Sequence, residues 1–203
     1  PWPESIEPQL HTLPVAIART EPAYKRRPAI QEVQQLYVDA ITSARNWIYI
    51  ENQYFTSCRL TDALIKRLQE EDAPEVIIIL PAHTGGWLEQ VTMDVLRSRM
   101  VKRMQRADKH DRLRIYYPHQ PGLGDTCISV HAKLLIVDDR LLRIGSSNTS
   151  NRSMGLDSEC DLAIEAQNVD DSVHSYIRKL RRQLLGEHLD CQADSIARAE
   201  HEN

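Results

Sequence analysis

Apolar residues along this chain recur in two patterns, every three or four positions in some segments and in short continuous runs in others. Over residues 30–44 they step by three and four, which predicts an amphipathic helix. The β-branched and aromatic run 46–50 predicts a strand. A helical pattern over about 61–71 and the continuous apolar run 75–80 predict a further helix and a buried strand.

The second half of the chain repeats this alternation. A long helical pattern that passes through Leu88 ends at about Ala107. Apolar runs over 128–137 and 141–144 flank Asp138-Asp139-Arg140, which predicts two strands joined by a tight turn. The other predicted elements are strands over 113–117 and 161–165 and a terminal helix over about 170–185.

Strands that alternate with helices indicate an α/β fold, with a mixed central β-sheet flanked by helices on both faces. Residues 1–28 hold six of the ten prolines and favour an extended arm, an edge strand or a linker. Residues 29–190 form the predicted domain, and 191–203 a polar tail expected to be frayed. A start at PWPESIEPQL without Met predicts a segment cut from something longer, with the arm leading in from a missing first half.

Composition narrows the possible partners. The chain carries 25 Lys and Arg against 29 Asp and Glu, so no nucleic-acid partner is expected. Four single cysteines without a CxxC pair favour free thiols over a zinc site or a disulfide framework. No apolar run approaches the roughly 20 residues of a membrane-spanning helix. We therefore expect a soluble or peripheral membrane domain, in a compartment that the sequence leaves open.

The residue types that carry chemistry are concentrated around the predicted hairpin. On a strand, His131 and Lys133 would point to the same side, and the returning strand would bring Ser146 and Asn148 alongside. An ammonium, a hydroxyl and an amide suit the non-bridging oxygens of a phosphodiester, and an imidazole suits attack at phosphorus or proton transfer. The full spacing is His131-x-Lys133-x4-Asp138-x6-Gly145-Ser146-x-Asn148.

This spacing resembles the HKD motif of the phospholipase D superfamily, with Gly-Ser-x-Asn in the expected register. The stretch 47–55 is similar to the IYIENQYF segment that precedes the second HKD motif in phospholipases D. Arg152-Ser153-Met154 and Asp157-Ser158-Glu159 resemble the continuation after Gly-Ser-x-Asn. The resemblance spans roughly residues 29–165 and identifies the chain as the C-terminal half of a phospholipase D or transphosphatidylase.

The resemblance implies a role for each matched position. His131 becomes one catalytic histidine, while Lys133, Ser146 and Asn148 grip phosphate oxygens. Glu159 falls where the family places the carboxylate that orients the histidine. Asp138, at the turn, is expected to be structural. Gly145 belongs to the structural part of the motif, and Glu51 and Asn52 are candidates to line the pocket.

The family mechanism needs two histidines, a nucleophile that forms a phosphohistidine and a partner that moves the proton. This chain has one motif, so the resemblance implies a partner, either an N-terminal HKD half or a second copy of the chain. In two-motif enzymes His131 would be the general acid and base; in a homodimer either copy of it could attack. The isolated chain is expected to be inactive, and no metal or cofactor is implied.

The expected substrate is a glycerophospholipid at a membrane surface, cleaved by hydrolysis or head-group exchange. Alternatives are a one-motif homodimeric HKD nuclease, a cardiolipin-synthase-like transferase and a non-catalytic half that only binds lipid. His83 and His119 follow predicted strands and are candidates to line the pocket, although solvated loop histidines are more common. The basic segments 97–106 and 178–182 favour solvated helix faces over lipid contacts.

Overall fold

The central element of the computed structural model is one mixed sheet, which lies among residues 3, 7–86, 90–124, 126–168 and 171–201, the part of the chain that the structure describes. Within that part its eight strands lie in the order β2-β1-β8-β7-β6-β3-β4-β5. The strands are β1 Ala16–Glu21, β2 Ile30–Gln31, β3 Trp47–Asn52, β4 Glu75–Ile79, β5 Leu113–Tyr116, β6 Lys133–Val137, β7 Leu141–Gly145 and β8 Glu159–Glu165.

The sheet is parallel at one end and antiparallel at the other. Strands β3, β4 and β5 run parallel to their neighbours in that group. All other neighbouring pairs are antiparallel, including β3 with β6 and the β6–β7 hairpin. The helices are α1 Glu32–Ser43, α2 Cys58–Leu68, α3 Val95–Ala107, α4 Asn151–Gly155, α5 Ser172–His188 and α6 Ala193–His201, with a π turn at Gln90–Asp94 and a 3-10 turn at Pro121–Leu123.

Two apolar cores lie on opposite faces of the sheet. Because side chains alternate along a strand, Ile48 and Ile50 of β3 pack under α1, α2 and α3, while Tyr49 joins a second core under α5 and α6. On β6, Leu135 and Leu134 divide in the same way. The predicted α/β fold, a mixed sheet with helices on both faces, is confirmed.

Helix boundaries follow local capping more closely than apolar periodicity. Helix α1 begins two residues after its predicted start, because Ile30 pairs with β1 in the short strand β2. Helix α2 begins at Cys58, earlier than predicted, because the Ser57 hydroxyl accepts from the backbone N–H of Leu60. Leu88 and Asp170, each placed in a predicted helix, lie outside the described residues.

Two sequence predictions are wrong, one about the length of a strand and one about the C-terminal tail. The strand predicted over 128–137 covers only 133–137, so His131 lies before the strand. The tail expected to be frayed instead forms α6, whose Glu200 carboxylate accepts from Arg181 at 2.7 Å and Arg182 at 2.6 Å on α5. Within the predicted arm, residues 16–21 pair with β8 as strand β1. Residues 1, 2, 4–6, 202 and 203 lie outside the described part.

The turn of the hairpin ties β6 to the start of β3. Asp138 and Asp139 both have φ of 54°, in the left-handed region that Asp tolerates better than most residues. The Asp138 carboxylate accepts from the backbone N–H groups of Arg45, Asn46 and Trp47 at 2.8, 2.7 and 2.9 Å. Its contacts are those of a structural residue, and they fix where β3 enters the sheet.

Asp138→Ala removes one acceptor from three backbone donors, and we expect it to lower the free energy of unfolding by about 2 kcal/mol. Asp111→Ala is the matched control, because Asp111 has φ of 55° but is an exposed residue paired with Arg114. Both variants therefore carry the same backbone cost for Ala. Urea denaturation of the two variants checks the expectation. Equal losses in the free energy of unfolding would show that the hydrogen bonds accepted by Asp138 contribute nothing.

Candidate active site

The open end of the β6–β7 hairpin carries the motif residues. Lys133 is the first residue of β6 and pairs with Asn52 at the end of β3, while Gly145 ends β7 opposite Asp161 of β8. Three neighbouring strands therefore end at the same edge of the sheet. Loops that leave this edge hold the remaining candidates.

Lys133 is the partly buried cation of the site. Its ammonium donates to the Gln53 side-chain oxygen at 3.1 Å and to the backbone oxygen of His131 at 3.0 Å. Burial lowers the pKa of Lys133 from its ordinary value of 10.5, and the charge of Glu159 opposes that shift. A partly desolvated ammonium with adaptable neutral partners suits the charge of a phosphate oxygen.

His131 is exposed and precedes β6 rather than lying on it. The sequence argument placed its ring beside Lys133 by strand alternation; the actual link is its backbone oxygen, which accepts from the Lys133 ammonium. Among the described residues, no side chain hydrogen-bonds its ring. The ring therefore faces a pocket without a fixed tautomer.

Ser146 and Glu159 form a contact of their own on the next strand pair. The Ser146 hydroxyl donates to the Glu159 carboxylate and accepts from the backbone N–H of Cys160 at 3.0 Å. In the described part of the structure Glu159 makes no hydrogen bond to His131. Its role as the orienting carboxylate stays a prediction.

Two side-chain amides near the strand ends have buried atoms without partners in the described structure. Asn52 is fully buried, and its oxygen accepts from the backbone N–H groups of Thr149 and Tyr54 at 3.0 and 3.3 Å. The Asn52 side-chain nitrogen and the Asn148 side-chain oxygen are both unpaired. An amide oxygen accepts and cannot donate to a phosphate oxygen, so the phosphate contact predicted for Asn148 would use its side-chain nitrogen and stays a prediction.

A buried ion pair supports this edge from below, and sequence reasoning missed it. Arg143 and Asp161 are both fully buried and bonded to each other, with Arg143 Nε 2.9 Å from the Asp161 carboxylate. Arg143 also donates to the Lys133 backbone oxygen at 2.9 Å and stacks over the Tyr37 ring at 4.6 Å. Its presence at an inward position of an apolar strand was the signal that could have revealed it.

The same ion pair positions the loop that carries Asn148. Ser147 donates to Asp161 from its backbone N–H at 3.2 Å and from its hydroxyl at 2.6 Å, and its carbonyl accepts from Arg143 at 3.2 Å. Both polar ends of Ser147 are thus held. The loop between β7 and α4 therefore leaves the sheet in one fixed direction.

A second cluster joins Glu51 to the end of α5. Glu51 is buried and accepts from the Tyr49 hydroxyl, and His188 Nε2 lies 2.9 Å from its carboxylate. The hydrogen bond to Glu51 raises the pKa of His188 above its ordinary value, while burial opposes the shift. Burial, reinforced by Glu51, raises the pKa of the Tyr49 phenol.

The predicted residues divide between two surface pockets. A pocket of about 370 Å³ is lined by His131 and Glu51, together with His119 and His188. Ser146 and Glu159 line another pocket, against Arg19, Tyr24 and Arg27 of the β1–β2 segment. Lys133 is hydrogen-bonded to the His131 carbonyl on one side, and the charge of Glu159 acts on its pKa from the other.

The two loop histidines proposed from the sequence lie in different parts of the structure. His119 lines the pocket that holds His131, as one of the two sequence hypotheses proposed. His83 lies elsewhere, with Nδ1 4.0 Å from the Asp94 carboxylate. The pocket histidine that sequence reasoning missed is His188, at the end of a helix with no motif around it.

Comparisons with known proteins agree with this fold and with the family resemblance. The family model described as cardiolipin synthase, PLD-like domain, matches residues 37–182, more than half of the 203 residues. The chain therefore belongs to the PLD-like domain family, which confirms the resemblance drawn from the HKD motif.

Individual relatives cover the chain to different extents. A phospholipase D from Phytophthora infestans is 29% identical over 85% of this chain, which spans 12% of that protein. Nuc, a phospholipase D family member from Salmonella typhimurium, has a TM-score of 0.56 at 15% identity, with 84% of this chain and 93% of Nuc covered. A phosphatidylserine synthase from Haemophilus influenzae has a TM-score of 0.62 at 18% identity, with 86% and 39% covered. The structural likenesses show the fold.

Within the described residues, none of the helices combines the length and the apolar character that crossing a bilayer requires.

Gly145 meets the buried ion pair so closely that no side chain fits there. A Cβ at this position would lie 2.6 Å from the Asp161 Cα and 2.7 Å from the Cys160 carbonyl oxygen, both backbone atoms. We expect Gly145→Ala to destabilise the fold by about 3 kcal/mol through overpacking. Gly122→Ala is the control, because a Cβ there meets no atom within 4 Å. Thermal unfolding measures both, and equal midpoints would contradict the close packing.

Proposed function

We propose that this chain is the catalytic half of a phosphodiesterase that cleaves head groups from glycerophospholipids, by hydrolysis or transphosphatidylation, through a phosphohistidine. The observation that carries the proposal is the clustering of Lys133, Ser146 and Asn148 at one sheet edge, in the HKD spacing, with His131 linked to Lys133. Relatives named phospholipase D support the substrate. Because the chain spans 12% of the first of these, the activity of a complete protein is part of the proposal.

The proposed reaction has two displacements at phosphorus. In the first, one imidazole nitrogen forms a P–N bond as the P–O bond to the head-group alcohol breaks, and the second histidine protonates the departing alcohol. In the second, that histidine takes a proton from water or from an acceptor alcohol, whose oxygen forms a P–O bond as the P–N bond breaks and the nucleophilic imidazole leaves. His131 fills one of these two roles. Lys133 and the amide of Asn148 hold the non-bridging oxygens throughout.

The second HKD histidine must come from outside this sequence, because the chain contains one HxK motif. An N-terminal HKD half of the same polypeptide is the first candidate, as in the phospholipase D resemblance. A second copy of the chain is the other. This chain covers 93% of Nuc, so a unit of this size occurs as a chain of its own among phospholipase D family members, which supports the homodimer candidate.

His131→Ala, in the complete two-half enzyme or in a dimer of this chain, is expected to lower kcat/KM on the order of 10³-fold or more by removing an essential group. His110→Ala, an exposed loop histidine, is the control and leaves the rate within about twofold. Head-group release from phosphatidylcholine vesicles measures both rates. Circular dichroism verifies that the fold is retained, and residual activity within about tenfold of wild type would exclude an essential role.

Glu159→Gln tests the orienting carboxylate. An amide retains a bond to Ser146 but stabilises an imidazolium poorly, so we expect a severe loss that is smaller than that of His131→Ala, with a shifted pH profile. Glu165→Gln is the matched control, since Glu165 lies on the same face of β8 and pairs with Arg140 far from the site. A Glu159→Gln rate and pH profile equal to wild type would assign Glu159 to structure alone.

A further inference from the structure

The pocket that holds His131 also contains an anchored imidazole, that of His188. His119, His131 and His188 line one space of about 370 Å³, together with Glu51 and the exposed Glu187. His188 belongs to no part of the HKD motif and comes from the last turn of α5. Its presence there brings a titratable ring from the far end of the chain to the candidate catalytic histidine.

Among the described residues, the ring of His188 is held from one side only. Its Nε2 is 2.9 Å from the Glu51 carboxylate, which also accepts from the Tyr49 hydroxyl. The side chains of His188 and Glu51 are 19% and 11% exposed, so the pair is largely shielded from water but open at the pocket. A carboxylate that accepts from Nε2 leaves Nδ1 as the second donor of a protonated ring.

The surroundings favour the protonated ring. The hydrogen bond to Glu51 raises the pKa of His188, the charge of Glu187 adds to the rise, and burial opposes it. The carboxyl end of α5, where His188 lies, also favours a cation. The other titratable groups of the pocket are His119, His131 and Glu187. Of these, Glu187 is the one that works against an anionic ligand.

We propose that His188, anchored by Glu51, is a further substrate-binding residue that donates a hydrogen bond to a phosphodiester anion lying against His131. This deepens the proposed function, on which it rests, by adding a donor outside the HKD motif. Lys133 and His188 then approach the His131 position from two elements, β6 and α5. Glu51 and Tyr49 act through His188 as positioning residues.

The test uses diethyl phosphate, a phosphodiester monoanion that does not titrate between pH 5 and 9. The imidazole resonances of the chain are followed by NMR during its addition. We expect His131 and His188 to shift together along one saturation curve at pH 6, with binding that weakens as the pH is raised and His188 loses its proton. The absence of a saturable shift at His188 in the wild type would overturn the proposal.

Two variants make the test specific. His188→Gln retains a donor for Glu51 but lacks the second ring nitrogen, and we expect the Kd to rise about tenfold. Glu187→Gln removes a carboxylate from an exposed position of the pocket lining, and we expect tighter binding at pH 6, where the lost repulsion of the anion outweighs the smaller rise in the His188 pKa. His110→Gln is the control with unchanged affinity. An unchanged Kd in both His188→Gln and Glu187→Gln would refute the proposal.

The experiments distinguish a failure of this inference from a failure of the proposed function. If His131→Ala kept full turnover while His188→Gln weakened diethyl phosphate binding, the chemistry would be wrong and the anion site would stand. If His131→Ala abolished turnover while His188→Gln bound normally and kept the wild-type KM and pH profile, the inference alone would fail.

Discussion

The buried pair of Arg143 and Asp161 is the interaction on which the candidate site depends. Both side chains are fully excluded from water, and removing a charge from water costs several kcal/mol even after relaxation. The structure meets that cost by satisfying the guanidinium with Asp161, the Lys133 carbonyl, the Ser147 carbonyl and the Tyr37 ring. Loss of either partner would leave an uncompensated charge among strands β6, β7 and β8.

The Arg143–Asp161 pair also fixes the backbone at the surface where the candidate site lies. It fixes the backbone of Lys133 on one side and that of Ser147 on the other, and it requires glycine at 145 because Asp161 lies directly against that position. The loop with Asn148 can then leave the sheet in only one direction. A polar site at a strand edge thus obtains its rigidity from a charge pair beneath it, as preorganised phosphate sites need.

Local patterns predicted the parts of the fold that depend on neighbours in sequence. Helical periodicity located α1, the β-branched run located β3, and the Asp138-Asp139 turn located the hairpin. The strand over 128–132 was wrong for a reason outside that segment. Strand β3 ends at Asn52, whose partner is Lys133, so the residues before Lys133 have no strand there to pair with. Apolar content cannot reveal where a neighbouring strand stops.

Polar contacts between residues far apart in the sequence could not be predicted from local patterns either. The tail was expected to fray because its composition is polar, yet Glu200 of α6 binds Arg181 and Arg182 across the α5–α6 corner. The contact of His188 with Glu51 joins residues 137 positions apart and has no local signal at all. The HKD spacing identified the motif residues because their separation is set by one hairpin. Residues brought in by the sheet or by the terminal helices required the structure.

The separation of the motif residues between two pockets affects how a partner half would complete the site. His131 lies at one pocket and Ser146 with Glu159 at another, and Lys133 is hydrogen-bonded to the His131 carbonyl. Under the proposed function, a partner half must cover this edge so that a single phosphate reaches Lys133 from the His131 side. The exposed His131 ring has no hydrogen bond to a side chain of the described residues, whereas Lys133 is fixed by β6 and Arg143 supports its carbonyl. A docking partner would therefore order the His131 imidazole against the ammonium of Lys133, which is already in position. The conformational entropy lost on assembly would then come from the His131 ring and its loop, because the sheet is already ordered.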